Sequence, residues 1–349
     1  YNGSQDYDLY LRLTEQAEKV VHIPHLLYYW RSSPTSVASN ISAKLYCLEA
    51  AVKALYAHYE RVGVPVDAVT MIPNTPGFYK TDYTITKPGR VSILIPTCDH
   101  INDLETCIES IYARTTYPDF EVILIENNSK DPETFRTYAR MQKEHPDNLK
   151  VVTWEGKGFN YSALNNFGEK YATGEYILLL NNDTEVITPG WLEEMVMYAQ
   201  QERVGCVGVK LLYPDDTIQH AGIGFGFLTL AGHMHKNFPA GHPGYMGRLV
   251  YAQDVYAVTA ACMMVRREVY EQVGGLDESF AVAFNDVDFC VRVREAGYTN
   301  VFTPFAQLYH YESKSRGLDE SPEKRKRFVS EVERFQKRWK AQLEAGDPC

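Results

Sequence analysis

What this 349-residue chain lacks narrows its function early. It has no run of about 18 apolar residues, the length a membrane-spanning helix needs. Its seven cysteines (positions 47, 98, 107, 206, 262, 290 and 349) are odd in number, scattered, and free of C-x-x-C spacing. That pattern argues against a disulfide scaffold and reads as a reduced, cytoplasmic protein. Positive charge is not in excess: 35 basic residues face 45 acidic ones, a formal net charge of −10. Nucleic acid is therefore not an expected partner, because such binding rests on neutralising phosphates. No G-x-G-x-x-G follows the first long apolar run and no Walker A sequence occurs, which disfavours hydride transfer on a dinucleotide and P-loop NTPase chemistry. The Gly-rich "GIGFG" (222–226) has the wrong spacing for either and is expected to be a flexible loop. No signal peptide is visible, and the first residue is Tyr rather than Met, so the natural N-terminus is expected upstream.

What is present has a clear order. In residues 42–62, Leu45, Leu48, Val52, Leu55 and Tyr59 recur at spacings of three and four, which predicts a helix with one apolar stripe. Residues 63–90 hold four Pro and three Gly, the composition of a linker. After it come "VSILIP" (91–96), "EVILIE" (121–126), "LKVVTW" (149–154) and "YILLLN" (176–181). Apolar runs without alternation suggest strands buried on both faces, as in a parallel sheet. Between them, Leu104, Ile108, Ile111 and Tyr112 share a helical face. Asp131-Pro132 and Thr188-Pro189 each read as an N-cap followed by Pro at the first helical position. Strand alternating with helix predicts right-handed βαβ units in a doubly wound α/β fold.

Each strand is followed by a polar cluster: "PTCDH", "ENNSKD", "EGKGFNYS" and "NNDTE". The carboxyl ends of parallel strands lie along one edge of a sheet, so the four clusters converge on one crevice. A carboxylate there can accept hydrogen bonds from a ribose diol or a base N–H. A second can hold Mg²⁺ or Mn²⁺, hard cations that bridge diphosphate oxygens. The combination binds a nucleoside diphosphate without a glycine loop.

These residues carry a resemblance. "VSILIPTCDH … EVILIENNSKD … GKGFNYSALNNFG … YILLLNNDTEV … GGLDESFAVAFNDVDFCVRVREAGY … LYHYESKSRG" resembles the family 2 glycosyltransferases of bacterial polysaccharide synthesis, closest to the O-antigen and rhamnan-type branch, over about residues 90–317. The resemblance implies a GT-A fold, a Rossmann-like, mainly parallel sheet with flanking helices. It implies that Pro96, Thr97 and Asp99 lie at the nucleotide, and that Glu126, where Asp is usual, meets the nucleoside. Asn166 and Gly168 match the family's R-N-x-G stretch beside the donor, with Asn165 at the Arg position. The D-x-D metal motif reads Asn181-Asn182-Asp183, which leaves Asp183 as the metal ligand with Asn182 at the donor. His310 in "LYHYES" matches the late metal-ligating His, and Arg316 is implied to fold over the phosphates. The E-D-x-D motif, whose second acid is the base, reads Asn285-Asp286-Val287-Asp288, so Asp286 is implied to take the acceptor proton. Asp288 lies two positions on and points elsewhere if the segment is helical.

The implied activity is inverting, metal-dependent transfer of a sugar from a UDP or dTDP donor, rhamnose being one candidate, to a saccharide acceptor, lipid-linked in this family branch. The expected location is the cytoplasm, with the inner face of the plasma membrane as a contact surface. The asparagines at 181 and 285 keep an alternative open, a weakly active GT-A-like domain that binds saccharide or organises a synthesis complex. A nucleotidyltransferase is disfavoured, since "PTCDH" has no Gly, Lys or Arg.

Three further features complete the reading. His220, His233, His235 and His242 are expected on a loop bordering the donor sugar or acceptor, with a zinc site the minor alternative. Cys262 reads as a buried strand residue rather than a nucleophile. Residues 321–344 place Phe328, Val332, Phe335, Trp339 and Leu343 on one face and hold eight Lys or Arg against four Glu. That stripe is expected to pack on its own domain, with an anionic membrane surface as the alternative. Finally, "QDYDLYLRLTEQ" near the start repeats the shape of "NDVDFCVRVREA". Asp6 aligns with Asp286, Asp8 with Asp288, Arg12 with Arg292, and Pro24 with Pro304, while Tyr29 falls near the His310 position, one residue out of step. The expected organisation is a remnant of a preceding glycosyltransferase domain plus a connecting helix (1–62), a linker (63–90), the GT-A domain (91–317) and a C-terminal amphipathic helix and tail (318–349).

Overall fold

The computed structural model describes residues 1–21, 23, 25–29, 46–227, 230–312 and 321–347. The chain divides into two compact units, Tyr1–Thr84 and Ile85–Cys349.

The first unit contains α1 (Gln5–Thr14), α2 (Tyr46–Val62), β1 (Val66–Met71) and β2 (Tyr79–Tyr83). The two strands form an antiparallel hairpin from Val66↔Tyr83 to Met71↔Tyr79. The stretch expected to be a linker is thus in large part a hairpin. Its Pro73, Pro76 and Gly77 sit in the turn, and averaging composition across 63–90 hid the strands on either side. The Val69 N–H donates to the Tyr56 hydroxyl at 3.0 Å, which ties β1 to α2.

In the second unit the order is β3 (Val91–Thr97), α3 (Ile101–Arg114), β4 (Phe120–Glu126), α4 (Pro132–Glu144), β5 (Leu149–Thr153), α5 (Tyr161–Glu169), β6 (Tyr176–Leu180), β7 (Thr184–Val186) and α6 (Trp191–Ala199). Then follow β8 (Val204–Leu212), β9 (Ile218–His220), β10 (Ile223–Phe227), β11 (Leu230–His233), β12 (Gln253–Val255), β13 (Cys262–Arg266), α7 (Arg267–Gln272), α8 (Asn285–Glu295), β14 (Thr299–His310), α9 (Pro322–Arg338) and α10 (Lys340–Ala345). The central sheet runs β12-β14-β8-β13-β6-β3-β4-β5, with β7 on β14 and β9 on β8. Strands β6, β3, β4 and β5 are parallel, as the unbroken apolar runs predict, and every residue of β3 is buried. Strand β13 is antiparallel to both β6 and β8, which joins this half to the rest. Cys262 is buried on β13, as expected.

Local signals succeed where one interaction decides them. Asp131 accepts from the Glu133 N–H and Pro132 opens α4. At Thr188-Pro189 the device fails: α6 starts at Trp191 behind Gly190 (φ 72°), and the Thr188 hydroxyl accepts from the Gln307 N–H at 3.1 Å. "GIGFG" is likewise not a free loop, because Ile223–Phe227 pairs with β11. Its glycines alternate with Ile223 and Phe225, which are buried, so a strand period of two is present but carried by two side chains. The C-terminal stripe packs on its own unit: Phe335, Trp339 and Leu343 join the same core as Phe280, Val287 and Phe289. The apolar face that could have met a lipid surface is largely spent there.

Candidate active site

At the carboxyl ends of β3 and β6 lies a cavity of about 450 Å³. Of the expected site residues, Pro96, Asn182, Asp183, Asp286 and His310 line it.

On one side, β6 ends at Leu180 and turns through Asn181-Asn182-Asp183 into β7. Strand β7 pairs with β14 in the register His310↔Thr184, and this pairing sets His310 beside Asp183 across more than a hundred positions. His310 Nε2 stands 3.4 Å from Asp183 Oδ1 and 3.2 Å from Asn181 Nδ2. Asp183 Oδ1 is buried without a hydrogen bond, and so is His310 Nδ1. Burial pushes the Asp183 carboxyl up, but His310, a main-chain N–H and the Asn181 amide outweigh it and hold the group below its usual value. An orphaned carboxylate oxygen facing an imidazole nitrogen fits a divalent cation. Their separation is near the roughly 3 Å edge of an octahedral Mg²⁺ or Mn²⁺ shell. Among the described residues no three His, Cys, Asp or Glu form a metal cage. The pair therefore suits an ion that brings its other ligands with it, as a diphosphate-bound cation does.

On the other side, Asp286 is the second residue of α8, entered through Phe284 in the left-handed region (φ 63°). Asp286 Oδ2 accepts from the Ala260 N–H at 3.2 Å, and Oδ1 from the Val287 N–H at 2.8 Å. The loop leading in is held from the C-terminal helix. The buried Glu331 carboxylate accepts from the N–H groups of Ala281, Val282 and Ala283 at 2.8, 3.2 and 2.9 Å. Asn285 donates to the Val282 carbonyl at 2.9 Å, so it braces the same turn. Asp288 points away, fully buried, onto Arg292 (2.8 Å) and Arg338 (2.8 Å).

The remaining expected residues lie elsewhere. Thr97, Asp99 and Glu126 stand at or just past the ends of β3 and β4 but do not line the cavity. Asp99 accepts from the N–H groups of Lys130 and Asp131 and from the Thr134 hydroxyl, all at 3.1 Å. Glu126 accepts from the Ser129 N–H at 2.5 Å. Both carboxylates thus shape the loop after β4. Asn166 does not line the cavity either. Its amide is filled by the Leu276 N–H and carbonyl (2.9 and 2.8 Å), the Tyr270 hydroxyl (2.7 Å) and Glu278 (3.1 Å). Gly168 likewise serves packing, since a Cβ there would strike Ile125. Arg316 lies outside the described residues.

The histidines separate. His233 lines the cavity and His220 lies behind it, while His235 and His242 do not line it. Among the described residues they form no zinc cluster. The sequence singled out neither Tyr161 nor Gln219 nor Glu312, yet all three line the cavity. Tyr161 donates to the Ala260 carbonyl at 2.7 Å, and burial and the nearby Asp286 charge push its phenol up. Their only sequence signal is position: Tyr161 within "GFNYS", Glu312 within "LYHYE" and Gln219 beside His220.

A mainly parallel central sheet with flanking helices and a crevice at the strand carboxyl ends is the GT-A glycosyltransferase fold. The profile described as "Glycosyl transferase family 2" matches residues 92–274, and the chain belongs to that family. An uncharacterised protein of Sinorhizobium fredii, y4gI, is 45% identical over 97% of this chain and 37% of its own length. The O-antigen biosynthesis protein RfbC of Myxococcus xanthus is 39% identical over 93% of this chain and 25% of its own. The chain thus spans between a quarter and two fifths of these relatives. Among solved structures, a mannosyltransferase of Pyrobaculum calidifontis in complex with GDP-mannose and Mn²⁺ superposes with a TM-score of 0.53 at 18% identity, covering 87% of this chain and 78% of that one. This likeness supports the fold.

Proposed function

We propose that the second unit transfers a sugar from a nucleoside-diphosphate donor to a saccharide hydroxyl, with inversion, in cell-surface polysaccharide synthesis. The observation that carries this reading is that Asp286 and the Asp183–His310 pair line one cavity. Asp183 and His310 would hold Mn²⁺ or Mg²⁺ with the donor diphosphate. Bound there, the ion neutralises charge developing on the leaving group. Asp286 takes the acceptor proton as the acceptor oxygen bonds to the anomeric carbon and the diphosphate departs from it. The resemblance to RfbC, named for O-antigen biosynthesis, supports an acceptor of the O-antigen type. The test is release of nucleoside diphosphate by the purified chain with Mn²⁺, across UDP-, dTDP- and GDP-sugars, with and without glycoside acceptors. Nucleotide-sugar binding without turnover on any acceptor would favour the saccharide-binding alternative that Asn181 and Asn285 keep open.

We also propose that α1 descends from the same element as α8, the end of a preceding transferase domain. In each helix a buried aspartate pairs with an arginine four positions on: Asp8 with Arg12 at 3.0 Å, and Asp288 with Arg292 at 2.8 Å. Asp6, the counterpart of Asp286, then has no part in this site. Asp6→Asn is expected to leave transfer unchanged, and a large loss would sink the assignment.

A further inference from the structure

His220 ends β9 and is completely buried. Its Nε2 accepts from the main-chain N–H groups of Gly222 at 3.3 Å and Thr259 at 3.4 Å. A main-chain N–H can only donate, so Nε2 must keep its lone pair. Burial holds the ring far below its ordinary value, so it is neutral and its one proton sits on Nδ1. That Nδ1 lies 2.9 Å from Nδ1 of His233. Such a contact is a hydrogen bond only when one nitrogen donates and the other accepts. The donor is therefore His220, and His233 Nδ1 carries a lone pair. The neutral His233 ring must then bear its proton on Nε2. No hydrogen bond to Nε2 exists among the described residues, and His233 lines the same cavity as Asp286.

We infer that His233 binds the acceptor hydroxyl through its Nε2–H, and that His220 is the positioning residue that fixes this tautomer. The inference rests on the reading of Asp286 as acceptor-side base. A sugar hydroxyl has one proton and two lone pairs. Asp286 takes the proton, the His233 N–H engages one lone pair, and the other is left for the anomeric carbon. A donor and an acceptor in one cavity thus recognise an alcohol, where a carboxylate alone would tolerate any proton donor. The titratable and charged groups that act on His233 are Asp286, Lys236, Glu312 and His310, and burial dominates them and lowers the ring's pKa, which favours the neutral donor.

Two readouts test this on the full chain. The first needs no substrate. With ¹⁵N-labelled histidine, long-range ¹H–¹⁵N spectra at neutral pH should show His220 as the Nδ1–H form and His233 as the Nε2–H form, assigned by loss of each in His220→Phe and His233→Phe. His220 found as the Nε2–H form or as imidazolium overturns the relay. The second compares transfer to nitrophenyl monosaccharides with hydrolysis of the same nucleotide sugar by water. His233→Phe keeps a ring but removes the donor. Its glycoside KM should rise about tenfold or more, with the transfer-to-hydrolysis ratio falling by a similar factor. His233→Gln, which restores an N–H, should recover much of both, and His220→Phe should fall between. An unchanged ratio in His233→Phe overturns the hydroxyl role. An unaltered chain inactive on every sugar overturns the transferase reading and that role together, while the spectra decide the relay separately.

Discussion

The indole N–H of Trp339 donates to Asp288 Oδ1 at 3.0 Å, across 51 positions of sequence. Arg338, beside it in the chain, reaches the same oxygen at 2.8 Å, and Arg292 takes the other at 2.8 Å. The C-terminal helices therefore satisfy a buried charge two residues beyond the proposed base.

That arrangement separates two aspartates of one motif. Removing one partner from a buried ionic cluster costs about 3–5 kcal/mol. Asp288→Ala should lower the melting temperature of the second unit by about 6 °C or more. A shift of under about 2 °C would show that the cluster contributes little.

Asp286→Asn should behave in the opposite way. The amide keeps the shape at the start of α8, but its NH2 cannot accept from the Ala260 or Val287 N–H, so one of these bonds is lost and melting should fall modestly, while nucleotide affinity should change little. Transfer should fall by about 10²–10⁴-fold, the usual worth of a general base. Retained transfer would remove Asp286 from that role.

Asp183 and His310 make a prediction about binding rather than rate. Calorimetry of a nucleoside diphosphate with Asp183→Ala should lose the Mn²⁺-dependent part of the affinity. Affinity that still responds to Mn²⁺ would place the ion on other ligands.

Glu121 at the start of β4 should leave a signature in acid. Its carboxylate accepts from the Ser92 hydroxyl at 2.7 Å and the Thr173 N–H at 2.6 Å, and pairs with Lys150 at 2.9 Å. Burial raises its pKa, but these partners outweigh burial and hold it at about 2, against an ordinary 4.5. The folded state thus favours the ionised form. This stabilisation is complete above about 4.5 and fades as pH falls toward 2. Glu121→Gln should be less stable at neutral pH and lose less on acidification through that window. Parallel stability–pH curves for the two proteins would refute this.

Much of the fold was legible because buried parallel strands write themselves as apolar runs, and "VSILIP" needed no context to become β3. That Asp286, Asp183 and His310 would line one crevice was legible through their motifs. The hairpin at 66–83 was not, because its two strands flank a Pro- and Gly-rich turn that dominates the local composition. Nor was the work of Asn166, whose amide could equally face a ligand or a loop until Leu276 and Tyr270 are seen against it. His233 stood out only as one of four histidines. Its tautomer follows from the N–H groups of Gly222 and Thr259 behind His220, which no spacing rule reveals.

The Glu331 carboxylate that gathers the three N–H groups of residues 281–283 also imposes an order in time. A chain growing from its N-terminus completes β3, β4, β5 and β6 long before residue 331 is made. Until α9 docks, those N–H groups lack their shared acceptor and Asp286 has no fixed approach. The turn before α8 is thus braced last, so a synthesis product truncated before α9 would lack the carboxylate that gathers it.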